Sequence, residues 1–138
     1  MEHVTPEMDR LALVSEADDG KPVVMLNLNR YREKAAYEDG REVSGRDAYL
    51  AYAAVAIPAI ASVGGKVLWV AEGREVAIGC EHDAYDEVVA VWYPSRAAFL
   101  NLPSYPGYME AHEHRDAGVE QAVLLACSAE AEPLLRGA

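Results

Sequence analysis

Two short stretches constrain this chain more than any other. Residues 88–93 read VVAVWY and residues 122–127 read AVLLAC, each an uninterrupted apolar run of strand length. A strand alternates its side chains between two faces, so Val88, Ala90 and Trp92 oppose Val89, Val91 and Tyr93. In the same way Val123, Leu125 and Cys127 oppose Ala122, Leu124 and Ala126. Neither strand has a polar face, and both sides of the sheet that holds them must be covered.

The rest of the chain supplies cover for one side. Residues 23–28 form a first strand after Pro22, with Val23, Met25, Asn27 and Asn29 on one face and Val24, Leu26 and Leu28 on the other. Residues 30–43 are mixed in charge without a period and read as a loop over a pocket mouth, with a helical turn near 34–37. Ser44 and Asp47 have the spacing of a capping box, and an alanine-rich helix follows over 46–63, ended by Gly64 and Gly65. Leu50, Ala53, Ala54, Ile57 and Ala61 make its apolar stripe, Tyr49, Tyr52 and Ala56 lie at its shoulder, and Pro58 bends it. Residues 66–71 are a second strand, which residues 74–79 extend past a bulge at Gly73 or fold back as a hairpin. The third strand, 87–93, ends at Pro94 and Ser95, and a short helix over 97–102 breaks at Pro103, Pro106 and Gly107. A last helix starts near Tyr108, and 122–127 is the fourth strand.

The order is β, α, β, β, α, β, the split βαβ of an α+β, ferredoxin-like fold with a four-stranded antiparallel sheet and two helices on one face. A peripheral helix capped by Thr5, with Pro6 in its first turn, precedes it. The chain therefore divides into an N-terminal helical extension (1–21), one domain (22–128) and a polar tail (129–138). The uncovered apolar face calls for a second copy, so a homodimer through the sheets is expected.

Charge narrows the partners. Twelve Lys and Arg against 23 Asp and Glu give a formal charge of -11, which repels nucleic acid and anionic membrane surfaces. The opening residues, MEHVTPEMDR, are acidic, and no apolar run approaches membrane-spanning length, so a cytoplasmic protein is expected. Cys80 and Cys127 have neither disulfide-framework nor metal spacing and read as free thiols.

The candidate chemistry gathers on the last helix. Tyr108, Ala111, His112, Arg115 and Val119 share one helical face, while Glu110, Glu113, His114 and Ala117 point elsewhere. His112 then serves as a general base, with Arg115 one turn away holding an anionic oxygen, or both pair internally with acids such as Glu87 or Asp116. His114 with Glu110 reads as a solvated surface pair, and His112, Glu113 and His114 lack the further ligands a metal needs. Asn27 and Asn29 either meet a ligand or satisfy backbone, and Tyr49, Tyr52, Trp69, Trp92 and Tyr108 either stack on a ligand or pack as core.

These segments carry a resemblance. VVMLNLNRY, RDAYLAYAAVAIPAIASVGGKVLW, DEVVAVWYPSRAAFLNL and YMEAHEHRDAGVEQAVLLAC resemble the dimeric α+β barrel superfamily. Within it they are most similar to a family of short bacterial proteins described as a domain of unknown function, over about 22–127. The resemblance implies the fold and a homodimer and transfers no catalytic residue. The superfamily includes cofactor-free quinone-forming monooxygenases, haem-degrading monooxygenases, muconolactone-type isomerases and stress-response barrels. Haem-degrading members use an Asn of the first strand, a Trp of the sheet and a His of the second helix, which Asn27, Trp69 or Trp92, and His112 resemble. A long mixed-charge loop stands in place of a haem-binding pattern, and no cofactor is expected. Two functions follow: binding of a small aromatic or carbonyl-bearing metabolite between helices and sheet, with cofactor-free monooxygenase or isomerase chemistry, or a non-catalytic binding or stress-associated barrel.

Overall fold

A computed structural model describes residues 8–129. The elements are α1 (Met8–Glu16), β1 (Val23–Tyr31), α2 (Gly45–Ser62), β2 (Lys66–Glu72), β3 (Glu87–Tyr93), α3 (Arg96–Leu100), α4 (Tyr108–Gly118) and β4 (Val119–Ser128). Single 3-10 turns lie at Glu81–Asp83 and Leu102–Ser104. The strands pair antiparallel in the order β2-β3-β1-β4, the ferredoxin-like arrangement expected of the βαββαβ order. The Thr5 cap and Pro6 lie outside the described residues.

Register decides which side chains share a face, because directly opposed residues on neighbouring strands point the same way. Val23 faces Tyr93, Met25 faces Val91, Asn27 faces Val89 and Asn29 faces Glu87. This is the helix side: Val23, Met25, Val91 and Tyr93 pack with Ala56, Ala59 and Ile60 of α2 and with Leu102 and Tyr108. The opposite side carries Val24, Leu26 and Leu28 of β1, Val88, Ala90 and Trp92 of β3, Val123 and Leu125 of β4, and Trp69 of β2. Leu125 is 53% exposed there and Trp69 42%.

Helices α2 and α4 run antiparallel, and their ends meet without side chains between them. A Cβ on Gly45, at the start of α2, would collide with the Arg32 carbonyl, and one on Gly118, at the end of α4, with the Gly45 carbonyl. Gly45 N donates to Arg32 O at 3.0 Å and Arg32 N to Gly118 O at 2.8 Å, so glycine at both positions lets three backbone segments interlock.

Several local expectations are corrected. The buried side of α2 is Gly45, Ala48, Ala56, Ala59 and Ile60, whereas Leu50 and Ile57 of the expected stripe are 48% and 57% exposed. The helix is apolar all round, so its own period cannot select the face that tertiary packing buries. Only the Ser44 half of the capping box forms, its hydroxyl accepting from Asp47 N at 3.0 Å. Strand β1 continues to Tyr31, and the 34–37 segment is no helical turn: Lys34 bridges Ser44, and Ala36 N donates to Ala117 O at 2.8 Å. The bulge falls at Leu68, between Val67 and Trp69, and not at Gly73. Residues 73–80 neither extend β2 nor form a hairpin, because Arg30 holds the connection that follows. Its guanidinium donates to the carbonyls of His82 at 2.6 Å and Ala84 at 2.8 Å and lies over the Tyr85 ring.

Candidate functional site

A cavity of about 1010 Å³ lies between the two main helices and the sheet. Its floor is the helix side of β1 and β3, including Met25, Asn27, Val89 and Val91. One wall comes from α2, where Tyr49, Tyr52 and Ala56 recur at helical spacing, and the other from α4, where Tyr108, His112 and Arg115 do the same. Residues 36–38, in the loop after β1, close one end.

Aromatic rings form a continuous wall. Tyr31 and Tyr49 have centroids 5.2 Å apart, Tyr49 and Tyr52 5.4 Å, Tyr52 and His112 5.3 Å, and His112 and Tyr108 5.0 Å. The edge-to-face contacts of His112 with Tyr52 and Tyr108 set the imidazole plane. The Tyr52 and Tyr108 hydroxyls share one hydrogen bond at 3.1 Å. Burial pushes the Tyr52 and Tyr108 hydroxyls up from the ordinary phenol range and takes Tyr49 to about 12, so all three stay neutral near pH 7.

His112 moves the other way. Burial penalises its charged form, the Arg115 cation adds to the effect, and Asp116 opposes it, so its pKa falls below the ordinary histidine value. The ring is therefore neutral near pH 7 and able to accept a proton. Arg115 is 8% exposed and lines the same cavity.

The two asparagines have separate roles. Asn27 lines the cavity, and its Nδ2 donates to the Met25 and Val89 carbonyls, both at 3.2 Å. Asn29 is 1% exposed and lies beside the Tyr31 and Tyr49 hydroxyls, within reach of both.

Of the residues singled out by sequence, Asn27, Tyr49, Tyr52, Tyr108, His112 and Arg115 come together at this cavity. Trp69 and Trp92 do not. Both sit on the opposite side of the sheet, since Trp92 faces Val24 and Trp69 faces Ala90, which corrects the expectation that they stack on the same ligand. Glu87 accepts from the Tyr31 hydroxyl at 2.5 Å and from Arg46 Nη1 at 3.0 Å. His114 is not in a solvated pair with Glu110, because its Nδ1 meets the Tyr37 hydroxyl at 2.6 Å and its ring packs edge-on against Tyr37. Ala117, expected to point outward, is buried in a small cluster with Ala35, Tyr37 and Ala48.

Sequence reasoning passed over Tyr31 and Tyr93 as lining or supporting residues. Tyr31 has the same parity as Asn27 and Asn29, and Tyr93 the same parity as Val89 and Val91, which was the signal for both. Among the described residues no group of three or more His, Cys, Asp or Glu comes together as a metal site, and no helix is long and apolar enough to cross a membrane.

None of the curated proteins matches the chain. Solved structures similar to it include the following two. One is of methylated RPA0582 protein, 37% identical, covering 99% of this chain and 98% of that one with a TM-score of 0.87. The other is of RPA0582, a protein of unknown function from Rhodopseudomonas palustris, 36% identical, covering 94% and 98% with the same TM-score. Residues 40–128 match the family model described as a domain of unknown function, DUF1330, and the chain belongs to that family.

Proposed function

We propose that this protein binds a small aromatic or carbonyl-bearing metabolite in the tyrosine-lined cavity and acts on it by proton transfer. The observation that carries the reading is the convergence of Asn27, Tyr52, Tyr108, His112 and Arg115, drawn from three elements, on one solvent-connected space. A neutral His112 takes a proton from an acidic C–H or O–H of the ligand and becomes imidazolium, and the electron pair left behind spreads onto the ligand oxygen. The Arg115 cation and the neutral tyrosine hydroxyls stabilise that oxygen. Returning the proton to another carbon completes an isomerisation, and reaction of the carbanion with molecular oxygen is the cofactor-free monooxygenase variant.

A second reading is binding without turnover. It is favoured by the internal bonds already made by Asn27 Nδ2 and by the Tyr52–Tyr108 pair, which need no substrate to be satisfied.

The working unit in this proposal is a homodimer closed through the apolar side of the sheet, supported by the exposure of Leu125 and Trp69 on a face without helices among the described residues. Sedimentation at micromolar concentration tests it, and a monomeric mass refutes it. We also place the protein in the cytoplasm, in keeping with unlinked Cys80 and Cys127.

The test of the site compares His112→Ala with wild type, using small phenols and ketones as titrants. The variant is expected to stay folded and to bind those probes more weakly. Equal affinities would remove His112 from the site.

A further inference from the structure

A set of polar side chains at one end of the sheet has no part in the proton transfer described above. Glu87 is 6% exposed and accepts from the Tyr31 hydroxyl at 2.5 Å and from Arg46 Nη1 at 3.0 Å, so each carboxylate oxygen has a donor. Directly opposite it on β1 is Asn29, 1% exposed. Buried polar groups are costly unless their partners hold them, and a group so held can in turn fix a neighbour.

That neighbour is Tyr49. Burial raises the pKa of both the Tyr31 and the Tyr49 hydroxyl, and the Asn29 amide opposes the rise from within hydrogen-bonding reach of each oxygen. Tyr31 has one proton and gives it to Glu87. Tyr49 has a different outlet. It lines the cavity and Asn29 does not, so the amide meets its hydroxyl from behind, and the phenol proton points away from that donor and into the space. The Tyr49 ring is held against those of Tyr31 and Tyr52, with centroids at 5.2 and 5.4 Å. Arg115 lines the same space and acts electrostatically on both Tyr49 and His112, which brings cation, base and hydroxyl into one neighbourhood. The Tyr52 and Tyr108 hydroxyls are instead aimed at each other, 3.1 Å apart.

We propose that Tyr49 donates the hydrogen bond that stabilises the ligand oxygen when His112 takes the proton, and that Asn29, backed by Tyr31 and Glu87, is the positioning residue that aims it. This rests on the proton-transfer reading and adds which hydroxyl serves it and what holds that hydroxyl.

The experiment titrates the full chain with 4-nitrophenol, whose phenolate absorbs in the visible where the phenol does not, and with 4-nitroanisole, which has the same ring and no ionisable oxygen. Wild type is expected to hold 4-nitrophenol as the phenolate to lower pH than water does. In Tyr49→Phe the phenolate should bind about tenfold more weakly and the pH at which the bound probe ionises should rise by about one unit, with 4-nitroanisole within about twofold of wild type. Asn29→Ala should shift the ionisation in the same direction, and Asn29→Ser, which keeps a hydroxyl donor, should restore part of it. A role in folding alone would lower the melting temperature without moving the ionisation of the bound probe. Where Asn29→Ala fails to fold, Asn29→Ser and Tyr49→Phe carry the comparison. An unchanged ionisation in Tyr49→Phe, or a larger shift in Tyr52→Phe, would overturn the choice of donor and leave the function proposal standing. A shift in Tyr49→Phe with none in the folded Asn29 variants would overturn the positioning role. Wild type that binds neither probe would overturn the proposed function and this inference with it.

Discussion

Replacing Gly45 with alanine tests the contact that sets the two cavity walls against each other. A Cβ at this position would lie 2.6 Å from Gly118 O and 2.7 Å from Arg32 N, and would collide outright with Arg32 O. These are backbone atoms, so no side chain can swing away, and α2 must retreat from both the Arg32 segment and the end of α4. The retreat breaks or stretches the Gly45 N to Arg32 O bond of 3.0 Å and the Arg32 N to Gly118 O bond of 2.8 Å. Each buried group left unpaired costs ~1–3 kcal/mol. Alanine returns up to ~1 kcal/mol through helix propensity, so the net loss is roughly 2–4 kcal/mol. For a chain of this size that lowers the melting temperature by roughly 8–16 °C. Gly40→Ala is the control: its φ is +71° and nothing lies within 4 Å of the new Cβ, so it carries only the left-handed backbone cost of ~1–2 kcal/mol. Thermal and urea unfolding of both variants measure the difference. Since Tyr49 and Tyr52 move with α2, Gly45→Ala should also weaken binding of phenol probes while Gly40→Ala does not. A Gly45→Ala protein no less stable than Gly40→Ala would refute the interlocked backbone.

Three further outcomes are expected. His114→Ala removes the 2.6 Å bond to Tyr37 and the ring contact, so it should cost ~1–2 kcal/mol in urea unfolding without the loss of probe affinity that His112→Ala produces. The folded pKa of His112 lies below the ordinary 6.5, so its contribution to stability is complete above that value and is lost as pH falls through the lowered one. Urea midpoints of wild type should therefore decline below pH 6.5 more steeply than those of His112→Gln, and superimposable profiles would contradict the burial of the neutral ring. Leu125→Asp places a carboxylate on the exposed apolar side of the sheet and should shift the proposed dimer to monomer in sedimentation, whereas an unchanged mass would move the interface elsewhere.

Much of the candidate site was legible because it lies on one helix. Tyr108, His112 and Arg115 recur at intervals of four and three, and that spacing alone aligns them on one side of α4. The β, α, β, β, α, β order was legible for a related reason, since the runs 88–93 and 122–127 and the Gly and Pro breaks between elements are local signals. Helix α2 was not. Apolar residues occupy every side of it, so the choice of Ala48, Ala56, Ala59 and Ile60 over Leu50 and Ile57 as the buried set depended on the sheet and α4. His114 and Tyr37 lie 77 residues apart, and no spacing within α4 could reveal that bond.

The sequence by itself determined the elements, their order, the division of each strand into two alternating sets, and the need to cover both sides of the sheet. Those properties follow from backbone geometry over a few residues. Which set on one strand joins which set on the next was decided only by tertiary structure, because pairing register is a long-range property and a shift of one residue exchanges the faces. Register placed Asn27 beside Val89 on the helix side, brought Asn29 next to Glu87, and put Trp69 and Trp92 on the other surface. The cavity arises at that same level, from the distance at which two antiparallel helices, locked at Gly45 and Gly118, are held above the sheet.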